Sequence, residues 1–322
     1  MKIGVFTVLF GQKPLDEVLD SVCQLGIEAI ELGVGNYPGA SHVPVKDLLN
    51  SVSARSEFLA KIKGRGLEIS ALSCHGNPLH PDKKIAKLHH DTWRDALRLA
   101  KLLKVETVVC FSGCPGDSDR SLYPNWVTCP WPDEYLDLLA WQWNKKVIPY
   151  WTRRNKHAED NGVNIALEMH PGFVVYSPET MIKLRAAAGK RIGANLDPSH
   201  FFWQGIDPIQ AVRYLGEAIF HVHAKDTKIY AINTAIAGVL DTKPYSEEIN
   251  RSWLFRTVGF GHGAEWWTDF VSTLQMAGYN DVLSIEHEDS LMAVEEGLGK
   301  AVTFLNSVII REKLGEMWWA KA

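Results

Sequence analysis

Four stretches of the chain end in residue types that bind metals or move protons. They are Ile165-Ala-Leu-Glu168-Met-His170-Pro, Ile192-Gly-Ala-Asn-Leu-Asp197-Pro-Ser-His200, Ile219-Phe-His-Val-His223-Ala-Lys225-Asp226 and Val282-Leu-Ser-Ile-Glu286-His-Glu-Asp289. Each begins as a short, mostly apolar run, as a buried strand does. Brought to one place, Glu168, Asp197, His223 and Glu286 make an oxygen/nitrogen ligand set suited to Mn²⁺, Mg²⁺, Co²⁺ or Zn²⁺. No thiolate is placed to join them, which argues against a soft metal. A divalent ion chelated by a carbonyl and its neighbouring hydroxyl stabilises the enediolate left when the α-proton departs. Glu168 and Glu286 are candidates to remove and return that proton. Return to the opposite face gives epimerisation, and return at the adjacent carbon gives aldose–ketose isomerisation. A buried salt-bridge network is the alternative reading of the same four residues.

The elements that must carry these groups are eight strands alternating with helices. Apolar runs predict strands at 2–7, 27–34, 67–73, 107–111, 164–168, 192–196, 218–222 and 281–286. Helical spacing predicts helices near 14–25, 45–64, 88–103, 133–161 (broken near Pro149), 178–188, 208–215, 266–276 and 290–312. The strands are largely continuous apolar runs, as parallel strands covered on both faces should be. Strand–helix alternation of this length predicts a single (β/α)8 barrel over residues 1–322, with catalytic groups at the C-terminal ends of the strands. A doubly wound open sheet would carry a glycine-rich phosphate loop after the first strand, and Val8-Leu-Phe-Gly-Gln-Lys is not one. Two long insertions interrupt the barrel pattern, Leu122–Trp131 and Thr227–Gly261.

Composition narrows the partners. With 34 basic and 38 acidic residues the net charge is −4, and no basic run suggests a nucleic-acid backbone. No apolar run reaches the about 18 residues of a membrane span, and the amino terminus enters a strand pattern with no signal-peptide character. Five cysteines without C-x-x-C spacing fit a reduced, cytoplasmic setting, with Cys74 and Cys110 as small core residues.

Other polar residues fall beside the main four. His200, three residues after Asp197, is a candidate to hydrogen-bond a developing oxyanion, with support of the aspartate as the alternative. His75, at the end of the third strand, is a candidate substrate contact, and His170 shares a strand face with Glu168. His221 comes one pleat before His223 and is expected in the interior. Lys225 and Asp226 suit either a positioning salt bridge or substrate contact. Arg256 and His262, at the end of the second insertion, are candidates to close over a ligand. Tyr123, Trp126, Trp131, Trp253 and Trp266 could pack on the apolar faces of a sugar or meet another protein. No phosphate nest follows the last two barrel strands, which favours an unphosphorylated sugar or glycoside.

The combination of Leu167-Glu168, Asn195-Leu-Asp197-Pro-Ser-His200, His221-Val-His223-Ala-Lys225-Asp226, Gly259-Phe-Gly-His-Gly and Ser284-Ile-Glu286-His-Glu-Asp289 resembles the sugar isomerase/epimerase superfamily of xylose-isomerase-like barrels. The resemblance runs from Lys2 to about Leu305. It implies one divalent metal, Mn²⁺ ahead of Co²⁺, Mg²⁺ or Zn²⁺, held by Glu168, Asp197, His223 and Glu286. It also implies proton exchange by the two glutamates on a ketose, keto-sugar or related polyol, as in ketose 3-epimerases. The long tryptophan-rich insertions are similar to those of large subunits of C-glycoside deglycosidases. That likeness implies instead a lyase cleaving a 3-keto-glycoside by proton abstraction and β-elimination with a small β-rich partner subunit. The chain could equally be a homo-oligomer. The AP-endonuclease branch of the superfamily needs a further histidine at the end of strand four, where this chain reads Phe111-Ser-Gly.

Overall fold

The computed structural model describes residues 1–312, 315 and 317–320. Seven strands follow in order: β1 (Lys2–Phe6), β2 (Ala29–Gly33), β3 (Glu68–Ser73), β4 (Thr107–Phe111), β5 (Asn164–Glu168), β6 (Ile192–Leu196) and β7 (Ile219–Ala224). A hairpin of β8 (Asp226–Ile229) and β9 (Trp253–Arg256) precedes the last barrel strand, β10 (Val282–Ile285). The barrel closes in the order β1-β10-β7-β6-β5-β4-β3-β2. Every barrel pair is parallel. Each strand expected from an apolar run is present, with its ends shifted by at most two residues. The fold is a (β/α)8 barrel, and no helix among the described residues is long and apolar enough to cross a membrane.

The helices differ from expectation where local chemistry intervenes. The 45–64 stretch is two helices, Val45–Asn50 and Val52–Lys63, because Ser51 turns extended and caps the second through its side chain. The helix expected at 88 begins at Lys83, where the Asp82 carboxylate accepts from the Lys84 and Ile85 amides. The expected break near Pro149 is a wide turn, Gln142–Val147, that joins Glu134–Trp141 to Ile148–Asn161 without an interruption. Widening the turn before the proline accommodates its ring and its missing N–H. The second insertion is ordered by the β8–β9 pairing, Asp226 opposite Arg256 and Ile229 opposite Trp253. Cys74 and Cys110 are core residues, and all five cysteines are unpaired.

Side chains alternate across each strand, so a short inward residue near the barrel floor is followed two positions later by a functional one. Ala71 precedes Ser73, Val109 precedes Phe111, and Ala166 precedes Glu168. Ala71, Val109 and Ala166 form a buried cluster with Phe220, separate from the main core between barrel and helices. Gly193 completes that floor. A Cβ there would stand 2.4 Å from the Ala218 carbonyl oxygen and 2.3 Å from the Phe220 ring. The carbonyl belongs to the backbone and cannot swing aside. Gly193→Ala is therefore expected to destabilise the protein by about 3 kcal/mol, the upper end for overpacking a close-packed site. Urea unfolding measures this, and an unchanged midpoint would mean that the floor is loosely packed.

Candidate active site

β5 delivers Glu168 at its end, the residue after β6 is Asp197, β7 carries His223, and the residue after β10 is Glu286. Because the strands are parallel and in register, all four reach the same end of the barrel. One ligand atom from each lies within 4.8 Å of all the others. Glu168, Asp197 and His223 are buried, and the Glu286 side chain is 13% exposed. The chamber they serve, about 250 Å³, is also lined by Phe6, Tyr37, His75, Phe111, His170 and Lys225.

Three buried carboxylates at this spacing repel one another, and the surrounding donors set what each can do. Glu168 accepts from His75 Nε2 at 2.9 Å, His200 Nε2 at 3.0 Å and Asn195 Nδ2 at 3.1 Å. Burial pushes its pKa up, but His75, His200 and His223 outweigh that and hold it well below the ordinary carboxylate range. Glu286 faces Lys225 Nζ at 3.0 Å and His223 Nδ1 at 3.3 Å. Against the upward push of burial, these two hold it down to about 2. Asp197 is the exception, because burial raises its pKa above the ordinary value in spite of His200 and Lys225. Its Oδ1 caps the Ser199 amide, whereas Oδ2 is buried without a hydrogen bond. A divalent cation fits this set, since the carboxylates are crowded, ionisable and convergent, and Asp197 Oδ2 has only ion-pair contacts, with His200 at 3.2 Å and Lys225 at 3.7 Å.

The neighbouring residues sort by contact. His200 spans two carboxylates, 3.0 Å from Glu168 and 3.2 Å from Asp197. His75 lines the chamber as well as bonding Glu168. The His170 ring lies 4.2 Å from that of His200, and burial followed by His200 pushes its pKa down to about 3. Lys225 reaches Glu288 at 2.5 Å as well as Glu286, and sits 4.2 Å above the Phe255 ring. Arg256 and His262 have other work. Arg256 pairs with Asp289 at 3.0 Å. His262 bonds Asp226 at 2.7 Å and stacks on Phe202. Neither is among the described residues that line the chamber. Asp226, fully buried, accepts from the backbone amides of Gly259, Gly261 and His262, so it fastens the end of the second insertion. Of the aromatic candidates, Trp126 and Trp253 line a second chamber beside the first, and Trp266 packs on Phe270. Tyr123 and Trp131 are exposed.

Sequence reasoning missed Glu31, on β2. It is fully buried and accepts from Ser73 Oγ, from Ser284 Oγ at 2.7 Å, and from His221 and His223 Nε2 at 3.0 Å each. Burial pushes its pKa up, yet His223 and His221 keep it well below the ordinary range. The signal was present, since Glu31 is a carboxylate near the end of a predicted strand, the position that singled out the other four residues. His221 lies in the interior as expected, paired with this carboxylate. His223 is thereby held at both nitrogens, with Nε2–H donated to Glu31 and Nδ1 facing Glu168 and Glu286 at 3.3 Å each. Its pKa stands well above the ordinary imidazole value, because Glu31 and Glu286 outweigh the opposing effect of burial.

Comparison with known proteins follows the same lines. Residues 19–308 match the model of the xylose isomerase-like TIM barrel family, and the chain belongs to that family. The Bacillus subtilis (strain 168) protein YfiH, itself uncharacterised, is 40% identical over 312 residues, covering 96% of this chain and 99% of that one. Two solved structures share the fold at low identity. IolI with a bound zinc atom is 20% identical with a TM-score of 0.63, over 96% of this chain and 98% of that one. D-psicose 3-epimerase from Clostridium cellulolyticum H10, solved with D-tagatose, is 16% identical with a TM-score of 0.60, over the same shares.

Removing one partner from a buried ion pair is costly because the remaining charge loses its compensation. Glu31→Gln is expected to destabilise the metal-stripped protein by about 3–5 kcal/mol. Chemical denaturation reads the loss, and a change under about 1 kcal/mol would show that the pair is not held as described.

Proposed function

We propose that the chain is a divalent-metal-dependent sugar isomerase or epimerase, acting on an unphosphorylated ketose, keto-sugar or related polyol. The observation that carries this reading is the convergence of Glu168, Asp197, His223 and Glu286 on one point at the end of the barrel. Mn²⁺ is the first candidate for the ion. The zinc reported in IolI and the epimerase activity named for D-psicose 3-epimerase, both of the same fold, support a metal and a sugar. When bound, the ion would act as a Lewis acid toward the substrate carbonyl and an adjacent hydroxyl, stabilising the enediolate.

The chain's own residues would carry the rest of the chemistry. Glu168 and Glu286 come from β5 and from the end of β10, strands separated in the barrel by β6 and β7, so they approach the ligand from different sides. Both are held ionised by their neighbours, the state a general base requires. One takes the α-proton. Epimerisation needs the other to return a proton, gained from solvent or a substrate hydroxyl, to the opposite face. Isomerisation needs the first glutamate to return its proton to the adjacent carbon while the hydroxyl proton passes from one substrate oxygen to the other. His200 Nε2–H and Lys225 Nζ stand at hydrogen-bonding distance from the two glutamates and would hold them in position while substrate oxygens gain negative charge. Phe6, Tyr37 and Phe111 offer apolar faces to the sugar's C–H surface.

Mn²⁺-loaded protein in D₂O is expected to exchange deuterium into at least one of D-fructose, D-psicose, D-tagatose or D-xylulose. Glu168→Gln and Glu286→Gln are each expected to slow that exchange by about 10²–10⁴-fold. Metal analysis of the same samples separates lost metal from lost proton transfer. Absence of exchange across a wide panel of ketoses and keto-sugars would sink the reading.

A further inference from the structure

Lys225 is the one lysine or arginine among the described residues that line the carboxylate chamber. Its side chain is 3% exposed, and its partners are of two kinds. Nζ lies 3.0 Å from Glu286 and 3.7 Å from Asp197, both members of the convergent set of four. The third carboxylate, Glu288 at 2.5 Å, lies outside that set, and its side chain is 51% exposed. The Phe255 ring, 4.2 Å from the ammonium, attracts a cation but carries no charge to neutralise one.

Glu288 is held where it can serve. It lies two residues after Glu286, and both line the chamber. The next residue, Asp289, accepts from the Thr257 amide at 2.8 Å and pairs with Arg256, which ties this segment to the end of β9. A divalent ion held by the four convergent groups would claim carboxylates that now face Lys225. The ammonium would then stand close to a second, larger positive charge, and such charges repel strongly away from water. A buried cation also loses stability when its counter-charge is taken away. Of the three carboxylates around Lys225, Glu288 is the one that the ion would leave to it.

We propose that Glu288 is a positioning residue for the ion site. It takes up most of the Lys225 charge, so that Glu286 and Asp197 can bind a divalent cation beside the ammonium. Lys225 competes with the ion for these oxygens, and Glu288 limits that competition. The inference rests on the metal in the proposed function and is independent of which reaction follows.

In the test, Mn²⁺ is titrated into the metal-stripped, full-length protein, and free Mn²⁺ is read from its electron paramagnetic resonance signal. Glu288→Gln is expected to weaken binding by at least about 10-fold, because Lys225 is left with the ion's own ligands. Lys225→Met is expected to tighten it by at least about 10-fold, for loss of the competing charge. In the Lys225→Met background, Glu288→Gln should change affinity by about threefold or less, since solvent screens a half-exposed charge from the ion. Unchanged affinity in Glu288→Gln would overturn the proposal. So would an equal loss with and without Lys225, because Glu288 would then act on the ion directly. Weaker binding in a Lys225→Met protein of unchanged thermal stability would overturn it as well. Glu288→Gln alters a half-exposed residue, so it decides the matter even if Lys225→Met does not fold. An unaltered protein that takes up no Mn²⁺ would defeat the metal-dependent reading and this inference together. Binding indifferent to Glu288 would defeat this inference alone, and the expected affinities without deuterium exchange into any ketose or keto-sugar would defeat the isomerase reading alone.

Discussion

The structure turns on the cost of keeping four carboxylates, Glu31, Glu168, Asp197 and Glu286, out of water at one end of a barrel. An isolated buried carboxylate would take up a proton before it stayed ionised. Here the environment supplies Lys225 and the imidazoles of His75, His200, His221 and His223, and the separate positions of the carboxylates decide who benefits. Glu31 and Glu168 each have several N–H or O–H donors. Glu286 has Lys225 and His223. Asp197 comes last, with one oxygen lacking a hydrogen bond and a pKa driven up by burial. That imbalance favours a cation at the cluster, because Asp197 Oδ2 has only ion-pair contacts, with His200 at 3.2 Å and Lys225 at 3.7 Å, and no hydrogen bond of its own.

His223 links the two halves of this arrangement. Its Nε2 is committed to Glu31, which is itself fixed by Ser73 of the adjacent β3 and by Ser284 of β10, two strands away. Its Nδ1 is thereby aimed at Glu168 and Glu286. A carboxylate behind a ligating imidazole sets its tautomer and orientation and increases its basicity. Glu31 would have that position behind His223 were a metal bound, although it lies outside the set of four convergent groups. β2 therefore contributes to the site without presenting a group to the chamber, which is why a search for ligands alone passes over it.

Most of the barrel was legible because parallel strands covered on both faces are continuous apolar runs, and a residue type that breaks such a run at its end stands out. Glu168, Asp197, His223 and Glu286 were visible for that reason. His75, His170 and Lys225 also lie at the chamber, as their places at or just past strand ends implied. Arg256 and His262 illustrate the limit. They were judged by nearness in sequence to the mouth, but their placement depends on Asp289 and Asp226, partners that no local pattern reveals. The Val45–Lys63 break and the wide turn before Pro149 were lost for a different reason. A serine cap and a widened turn change the helix path without changing the apolar periodicity that was read.

The insertion after β7 adds a structure beside the barrel that strand closure does not require. Asp226 leaves the strand and gathers the Gly259, Gly261 and His262 amides, closing the loop at its base. A Cβ on Gly261 would lie 2.4 Å from the Asp226 carboxylate, so the close approach requires glycine there. With its base fixed, the intervening segment is free to pair β8 with β9 and to raise Trp253 and Phe255 beside the mouth. The aromatic cluster they build with Trp203 is not continuous with the barrel core and does nothing to close the barrel. Its physical effect falls on whatever lies next to His170 and His200. The carboxylates thus stand on strand ends that the barrel must keep, and the aromatic walls on a loop that barrel closure does not need.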